Sequence, residues 1–466
     1  MKDIFKTKSI KDLIDETKGK NSLNKVLGAK ELTLLGIGAI VGAGIFVITG
    51  LAAGRYSGPA LVISFIISGT ACAFAALCYA EFASIVPVAG SAYTYGYASL
   101  GEIWAWIIGW DLILEYTVFI GTVAIGWSGY AADMLKQIGI NIPKQFLNSP
   151  AEGGIVNLPA VIIILIIGTL LIRGVTEVAK FNNIIVMIKL AVIALFIVLA
   201  VGHVKTANWH PFMPYGWKGV FKGAAYVFFA YIGFDAVSTA AEEVKDPKHD
   251  LPKGIVGSLL ICTVLYIVVA ALLTGIVPYY KFKYTSAPVA FALQQIGYKW
   301  GAAMISVGAL FGLTTVLLVI MFGQTRIFFA MSRDGLFPKF LGAVNQKTKT
   351  PITSTIIVVI AAACLSGFLP ITVVSELTNI GTLAAFIIVS IGIIVLRKRR
   401  PDIDRGFKCP FVPIIPIISA VICFYLIMNL TYFTKMRFVI WFFIGIVVYI
   451  LYGYKHSTMR KKNAEQ

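Results

Sequence analysis

Long apolar runs decide what this chain can fold into. Stretches such as LPAVIIILIIGTLL at residues 158–171 carry no charge, and similar runs recur along the whole sequence. Of the 466 residues, 58% are hydrophobic and only 13% are charged. Runs of about 20 apolar residues are typical of transmembrane helices, whereas barrel strands need shorter segments of alternating polarity. The sequence therefore predicts an all-α polytopic membrane protein.

Twelve transmembrane helices are predicted, with both termini in the cytoplasm. The segments that share a side with the N-terminus hold most of the 40 Lys and Arg residues, which the positive-inside rule assigns to the cytoplasm. Their scatter over short loops argues against a nucleic-acid surface. The predicted spans are 32–54, 59–86, 102–133, 157–174, 181–202, 219–243, 254–277, 300–331, 352–369, 372–396, 412–434 and 438–455.

The chain divides by these spans rather than by soluble domains. Residues 1–31 form a basic cytoplasmic tail without the pattern of a signal peptide, and 456–466 form a second tail. Between them lie spans 1–5 (32–202), spans 6–10 (203–396) and spans 11–12 (397–455). The six cysteines form no C-x-x-C pair, and H-E-x-x-H and G-x-S-x-G are missing. We expect no metal, no cofactor and no enzymatic activity.

Two spans are interrupted by glycine. Span 1 contains GIGAIVGAGIF at 36–46, and each glycine inside a helix costs about 1 kcal/mol relative to alanine. Either Gly38 and Gly42 allow close helix packing, or the helix is broken and its free amides bind a substrate carboxylate. Span 6 contains FFAYIGFDAVSTAAEE at 228–243. If spans 1–5 and 6–10 are inverted repeats, the two interruptions correspond, which favours broken helices around a binding site.

Five segments together resemble a transporter superfamily. They are GIGAIVGAGIF, PVAGSAYTYGYASLGE at 87–102, GFDAVSTAAEEVKDPKHDLPKGI at 233–255, GQTRIFFAMSRDGLFPKF at 323–340 and RPDIDRGFKCPFVPIIP at 400–416. They resemble the amino acid–polyamine–organocation superfamily and, within it, a bacterial type of the cationic amino acid transporter family. The resemblance implies a five-plus-five inverted-repeat core with discontinuous helices 1 and 6. It also implies secondary transport of amino acids across the bacterial plasma membrane.

The resemblance also assigns a substrate site on backbone groups. It places the substrate carboxylate on the amides of Gly42, Ala43 and Gly44. The substrate amino group would meet the carbonyls of Ile40, Phe229, Ala230 and Ile232, and Phe229 would also close over the ligand as an aromatic gate.

Charged residues inside the spans give further candidates, because such residues are costly in a membrane. Lys189 either stretches to the cytosolic interface or couples transport to protons, as a lysine does in place of sodium in related transporters. Asp111 and Glu115 lie four residues apart in span 3, on one helical face. Either they close a charge network with Lys189 or Arg326, or Glu115 lines the side-chain pocket. Asp235 has the same two options.

Other acids fall near span ends. They are Glu81, Glu242, Glu243 and Glu376, which are expected to be solvated or to belong to a gate.

The substrate is predicted only as a small neutral or a cationic amino acid. The motifs suggest a cationic substrate, whereas Val319, Ile320 and Met321 in span 8 would narrow the pocket. We predict a proton symporter that imports L-amino acids by alternating access, with protons and membrane lipid as its other partners. The alternative is an amino acid exchanger on the same fold.

Overall fold

The computed structural model describes residues 2–10, 13, 27–88, 91–173, 178–345 and 350–460, and this part of the chain is helical apart from its loops and one isolated β-bridge between Leu27 and Val244. The all-α prediction is confirmed. The α-helices are α1 (Ala29–Ile40), α2 (Thr49–Ala52), α3 (Leu61–Ile85), α4 (Ser91–Ser99), α5 (Glu102–Gln137), α6 (Leu158–Arg173), α7 (Val178–Val201), α8 (Gly216–Val227), α9 (Ala236–Thr239), α10 (Pro247–Ile276), α11 (Pro288–Gln295), α12 (Lys299–Arg333), α13 (Ile352–Phe368), α14 (Ile371–Arg399), α15 (Ile414–Asn429), α16 (Tyr432–Val448) and α17 (Tyr454–His456).

The helices have the length and composition of a multi-pass membrane protein. Within the described residues, seven helices are long and apolar enough to cross a membrane. Three shorter apolar helices, α6, α13 and α15, accompany them. The predicted boundary between spans 1 and 2 falls on a π-helical turn, Ala53–Ser57, followed by Gly58. Gly58 has a φ of +61°, which glycine adopts without strain. The count of twelve spans stays a prediction.

Helix α5 forms the centre of the bundle. It packs against α12, α14 and α13, and 83% of the residues in its most apolar stretch are buried. The corresponding value for Tyr432–Arg460 is 17%, so the last helix lies at the periphery. Helix α10 packs against α1 and α3. This arrangement places the interrupted first span between α10 and the central helices.

Both described chain ends contact the same face of the bundle. The amide of Glu102 donates to the carbonyl of Lys6 at 3.2 Å, and the Glu102 carboxylate accepts from Nε of Arg460 at 3.1 Å. An even number of spans requires both chain ends to lie on the same side of the membrane. Residues 1, 11, 12, 14–26 and 461–466 of the predicted tails lie outside the described residues.

Two of the four acids near span ends, Glu81 and Glu376, are not solvated, whereas Glu243 is partly exposed and the side chain of Glu242 lies outside the described part of the structure. The side chain of Glu81 is completely buried, and Glu376 is 6% exposed. Glu376 accepts hydrogen bonds from the hydroxyls of Thr431 and Thr434, at 2.5 and 2.7 Å, at the start of α16. The expectation of solvation was wrong, because both acids find donors on neighbouring segments far along the chain.

Candidate functional site

The first span is broken within its glycine-rich stretch. Helix α1 ends at Ile40, Val41 leaves the helical conformation with ψ of 98°, and a π-helical turn, Gly44–Ile48, follows. Every residue from Ile40 to Ile48 is buried. The last carbonyls of one helical segment and the first amides of the next have no partner within their own segment. The break therefore presents backbone acceptors and donors, including those of Ile40, Gly42, Ala43 and Gly44, inside the bundle.

The sixth predicted span is broken beside the first. Helix α8 continues into a short 3-10 turn, Phe228–Tyr231, and Ile232 is extended with ψ of 134°. Gly233 follows with φ of +117°, a conformation that favours glycine. Asp235 then precedes α9 and is 5% exposed.

The glycines let the two breaks touch. A Cβ atom on Gly44 would lie only 2.3 Å from Cα of Ala230, and one on Gly36 would lie 2.4 Å from Oγ of Ser258 on α10. By contrast, a Cβ on Gly42 would meet only Val316, at 3.3 Å. The helix is interrupted around Gly42, as one of the two explanations predicted. The other explanation placed close packing at Gly38 and Gly42, whereas the closest approaches are at Gly36 and Gly44.

Lys189 binds the broken helix directly. Its side chain on α7 is 1% exposed, and Nζ donates to the carbonyl of Gly38 at 2.8 Å. A Cβ on Gly312 of α12 would lie 3.0 Å from Cε of Lys189, so the chain is packed along its length. The interpretation in which Lys189 stretches to the cytosolic interface is wrong. A cation at the C-terminal end of α1 is electrostatically favourable.

Tyr266 joins the two breaks and was missed by the sequence analysis. Its hydroxyl lies 2.8 Å from the carbonyl oxygens of both Ile40 and Ala230. A hydroxyl carries one proton and can donate to only one of them at a time. These are two of the carbonyls predicted for the substrate amino group. A single tyrosine in the apolar run of α10 gave no signal of this role.

The two acids of α5 face α14. A Cβ on Gly381 would lie 2.9 Å from Oδ1 of Asp111 and 3.4 Å from Cβ of Glu115. Neither oxygen of Asp111, nor Oε2 of Glu115, has a hydrogen-bond partner in the described part of the chain. Lys189 binds Gly38 instead, so the predicted charge network with Lys189 is wrong. Arg326 stacks over the ring of Phe322, 4.2 Å from its centroid.

The space beside the breaks is bounded by apolar side chains. Phe229 is 1% exposed and stacks on Phe119 of α5, with ring centroids 4.9 Å apart. On α12, Ile320 and Met321 are buried, and Val316 lies against Gly42. Val319 is partly exposed, so it differs from its two predicted companions. Within the described residues, no group of His, Cys, Asp or Glu is arranged to hold a metal ion.

The sequence profile of the amino acid permease family matches residues 27–453. The chain belongs to this family. It is 51% identical to the branched-chain amino acid permease BcaP of Bacillus subtilis, over 98% of this chain and 99% of that protein. It is 50% identical to the methylthioribose transporter of Bacillus subtilis, over 99% of this chain and 100% of that protein. It is 38% identical to the vacuolar cationic amino acid transporter 4 of Arabidopsis thaliana, over 82% of this chain and 65% of that protein.

These similarities confirm the resemblance that the five sequence segments carried. This amino acid permease is a multi-pass membrane protein of a transporter family, not an enzyme. The two breaks, at residues 41–43 and 232–235, interrupt helices in the way that exposes backbone amides and carbonyls for ligands in other membrane transporters.

Proposed function

We propose that this permease imports neutral L-amino acids with apolar side chains across the plasma membrane by proton symport. The observation that carries the proposal is the bond from the buried Lys189 ammonium to the last turn of the broken α1. The transport cycle alternates access around the two breaks. The predicted twelve-helix inverted repeat, with both termini in the cytoplasm, supplies the frame for that motion.

The carboxylate and the ammonium group of the substrate would bind at the two breaks. Its carboxylate accepts from the amides of Gly42, Ala43 and Gly44, and its ammonium group takes the carbonyls of Ile40 and Ala230 that Tyr266 now contacts. An ammonium group has three donors and satisfies both carbonyls, which one hydroxyl cannot.

The substrate side chain would meet apolar walls. Phe119, Phe229 and Val316 are all buried beside the breaks, which favours an aliphatic side chain over a cationic one. The similarity to a branched-chain amino acid permease supports this choice. Glu115 and Asp235 then contribute to gating or proton binding rather than to recognition of a cationic side chain.

Lys189 would couple the proton to the motion of α1. A buried ammonium without a carboxylate partner is costly and gives up its proton readily. With the proton bound, Lys189 holds the Gly38 carbonyl and keeps α1 in place. Loss of the proton toward the cytoplasm weakens that bond and lets α1 move, and a new proton enters from outside with the next substrate.

Uptake of radiolabelled leucine into proteoliposomes tests this function. An imposed inward proton gradient should drive accumulation by the wild type, whereas Lys189→Met should abolish accumulation and retain leucine counterflow. Lys222→Met, which changes an exposed lysine on α8, is the matched control and should behave as wild type. Unchanged accumulation in Lys189→Met would reject Lys189 as the coupling residue. Counterflow without gradient-driven accumulation in the wild type would identify an exchanger.

A second candidate substrate is methylthioribose, favoured by the 50% identity to a transporter of that compound. It has no carboxylate or ammonium group, so it would not use the backbone groups of both breaks in the same way. Thermal stabilisation by leucine and not by methylthioribose would support the amino acid, because bound ligand stabilises the native state by mass action. The reverse result would overturn it.

A further inference from the structure

A cavity of about 220 Å³ lies at the C-terminal end of α5. Its walls come from α5, the loop that follows it and residues 285–291 before and within α11. In the predicted topology this end of α5 faces the outside of the cell. The volume accommodates one free amino acid of leucine's size.

Tyr130 of α5, the neighbour of a cavity residue, contacts the segment that follows the first break. The hydroxyl of Tyr130 donates to the carbonyl of Phe46 at 2.7 Å. Phe46 is two residues beyond Gly44, and the cavity is lined by Gly129, the neighbour of Tyr130. A Cβ on Gly129 would lie 2.5 Å from Cβ of Ser286, so α5 and this loop are closed against each other. Tyr130 therefore links the part of α5 that lines the cavity to the first break.

The cavity presents one negative and one positive side chain. Asp133 and Lys136 both line it and lie three residues apart on α5, which puts them on one helical face. Oδ2 of Asp133 accepts from Nε2 of Gln137 at 3.0 Å and from Nε2 of Gln294 at 3.3 Å, which fixes the carboxylate. Lys136 is exposed and forms no ion pair with any described residue. Opposite charges side by side match the two ends of a zwitterion.

We propose that this cavity is an outer binding site for a zwitterionic amino acid. Asp133 binds the ammonium group of the amino acid, and Lys136 binds its carboxylate. The ligand moves on toward the first break when the hydrogen bond from Tyr130 to the carbonyl of Phe46 opens. This inference rests on the proposed transport of neutral amino acids.

Equilibrium dialysis of the purified full-length protein with radiolabelled leucine tests the proposal. The wild type should bind two equivalents of leucine, one at the breaks and one in the cavity. Asp133→Asn and Lys136→Met should each weaken the second equivalent by about 10-fold or more, the effect of losing a charge-assisted hydrogen bond. The matched controls Glu152→Gln and Lys144→Met change exposed charges on the same loop outside the cavity and should keep both equivalents.

Transport kinetics separate binding from a structural role. In proteoliposomes, Asp133→Asn should raise the KM for leucine and leave the maximal rate unchanged, whereas distortion of α5 would lower the maximal rate. One equivalent in the wild type, or two in both cavity variants, would overturn the outer site and leave the proposed function standing. No leucine binding at all would reject the proposed function, and the outer site with it.

Discussion

Glu81 and Asp111 are both buried acids on helices, yet their surroundings are opposite. Glu81 on α3 accepts from Nε and Nη2 of Arg397 at 2.9 and 2.6 Å and from Nε of Arg405 at 3.1 Å. The amide of Cys409 donates to it at 2.8 Å. Asp111 on α5 is 4% exposed, and neither of its oxygens has a described partner.

The difference separates an acid whose charge is compensated by neighbouring cations from one that has no described hydrogen-bond partner. Glu81 ties α3 to α14 and to the loop at 400–409, and its charge is compensated by two guanidinium groups. A buried acid without donors costs stability, so its retention needs another reason. Asp111 and Glu115 share one face of the central helix. In the proposed transport cycle they would bind a proton or pair with a positive charge on the substrate. Ion pairs thus join α3 to neighbouring segments at Glu81, whereas Asp111 and Glu115 on α5 keep carboxylate oxygens without a described hydrogen-bond partner.

Removal of the Glu81 charge should have the largest effect on stability. Glu81→Gln leaves Arg397 and Arg405 without their carboxylate, and loss of one partner of a buried ion pair typically costs about 3–5 kcal/mol. Arg397 is 27% exposed, which favours the lower end of that range. The unfolding midpoint of the purified protein measures the change, with the exposed Glu152→Gln as control. A midpoint equal to that of the wild type would contradict a fastening role for Glu81.

The opposite pattern is expected for the acids of α5. Asp111→Asn and Glu115→Gln remove no described ion pair, so stability should change by less than about 1 kcal/mol or rise, because a neutral amide is easier to bury than a carboxylate. Leucine uptake between about pH 5 and 8 should lose part of its pH dependence in Glu115→Gln, since an amide binds no proton in this range. Destabilisation as large as that of Glu81→Gln would show that the α5 acids are structural.

The parts of the site that depend on local interruptions of a helix could be predicted from the sequence. The breaks at residues 41–43 and 232–235 follow from glycine inside apolar runs, and Lys189 stands out as a lone charge in a span. Tyr266 and Tyr130 could not be found this way, because a tyrosine in an apolar run resembles any core residue until its hydroxyl partner is known. Val316 was missed and Val319 chosen because an almost wholly apolar helix does not reveal which face turns inward.

Neutralising one member of the exposed ion pair of Lys248 and Asp404 should have the smallest effect on stability. Their charged atoms are 2.5 Å apart, closer than any contact of Glu81, but the side chains are 50% and 81% exposed. The hydrogen bond from Lys248 lowers the pKa of Asp404, so the folded value lies below the unfolded one. The contribution to stability is therefore present above the unfolded pKa of about 3.9 and is lost as the pH falls through the folded value.

Asp404→Asn should shift the unfolding midpoint barely at neutral pH and not at all in acid or high salt, because solvent and ions screen exposed charges. A shift comparable to that of Glu81→Gln would mean that contact distance, rather than burial, sets the strength of these ion pairs.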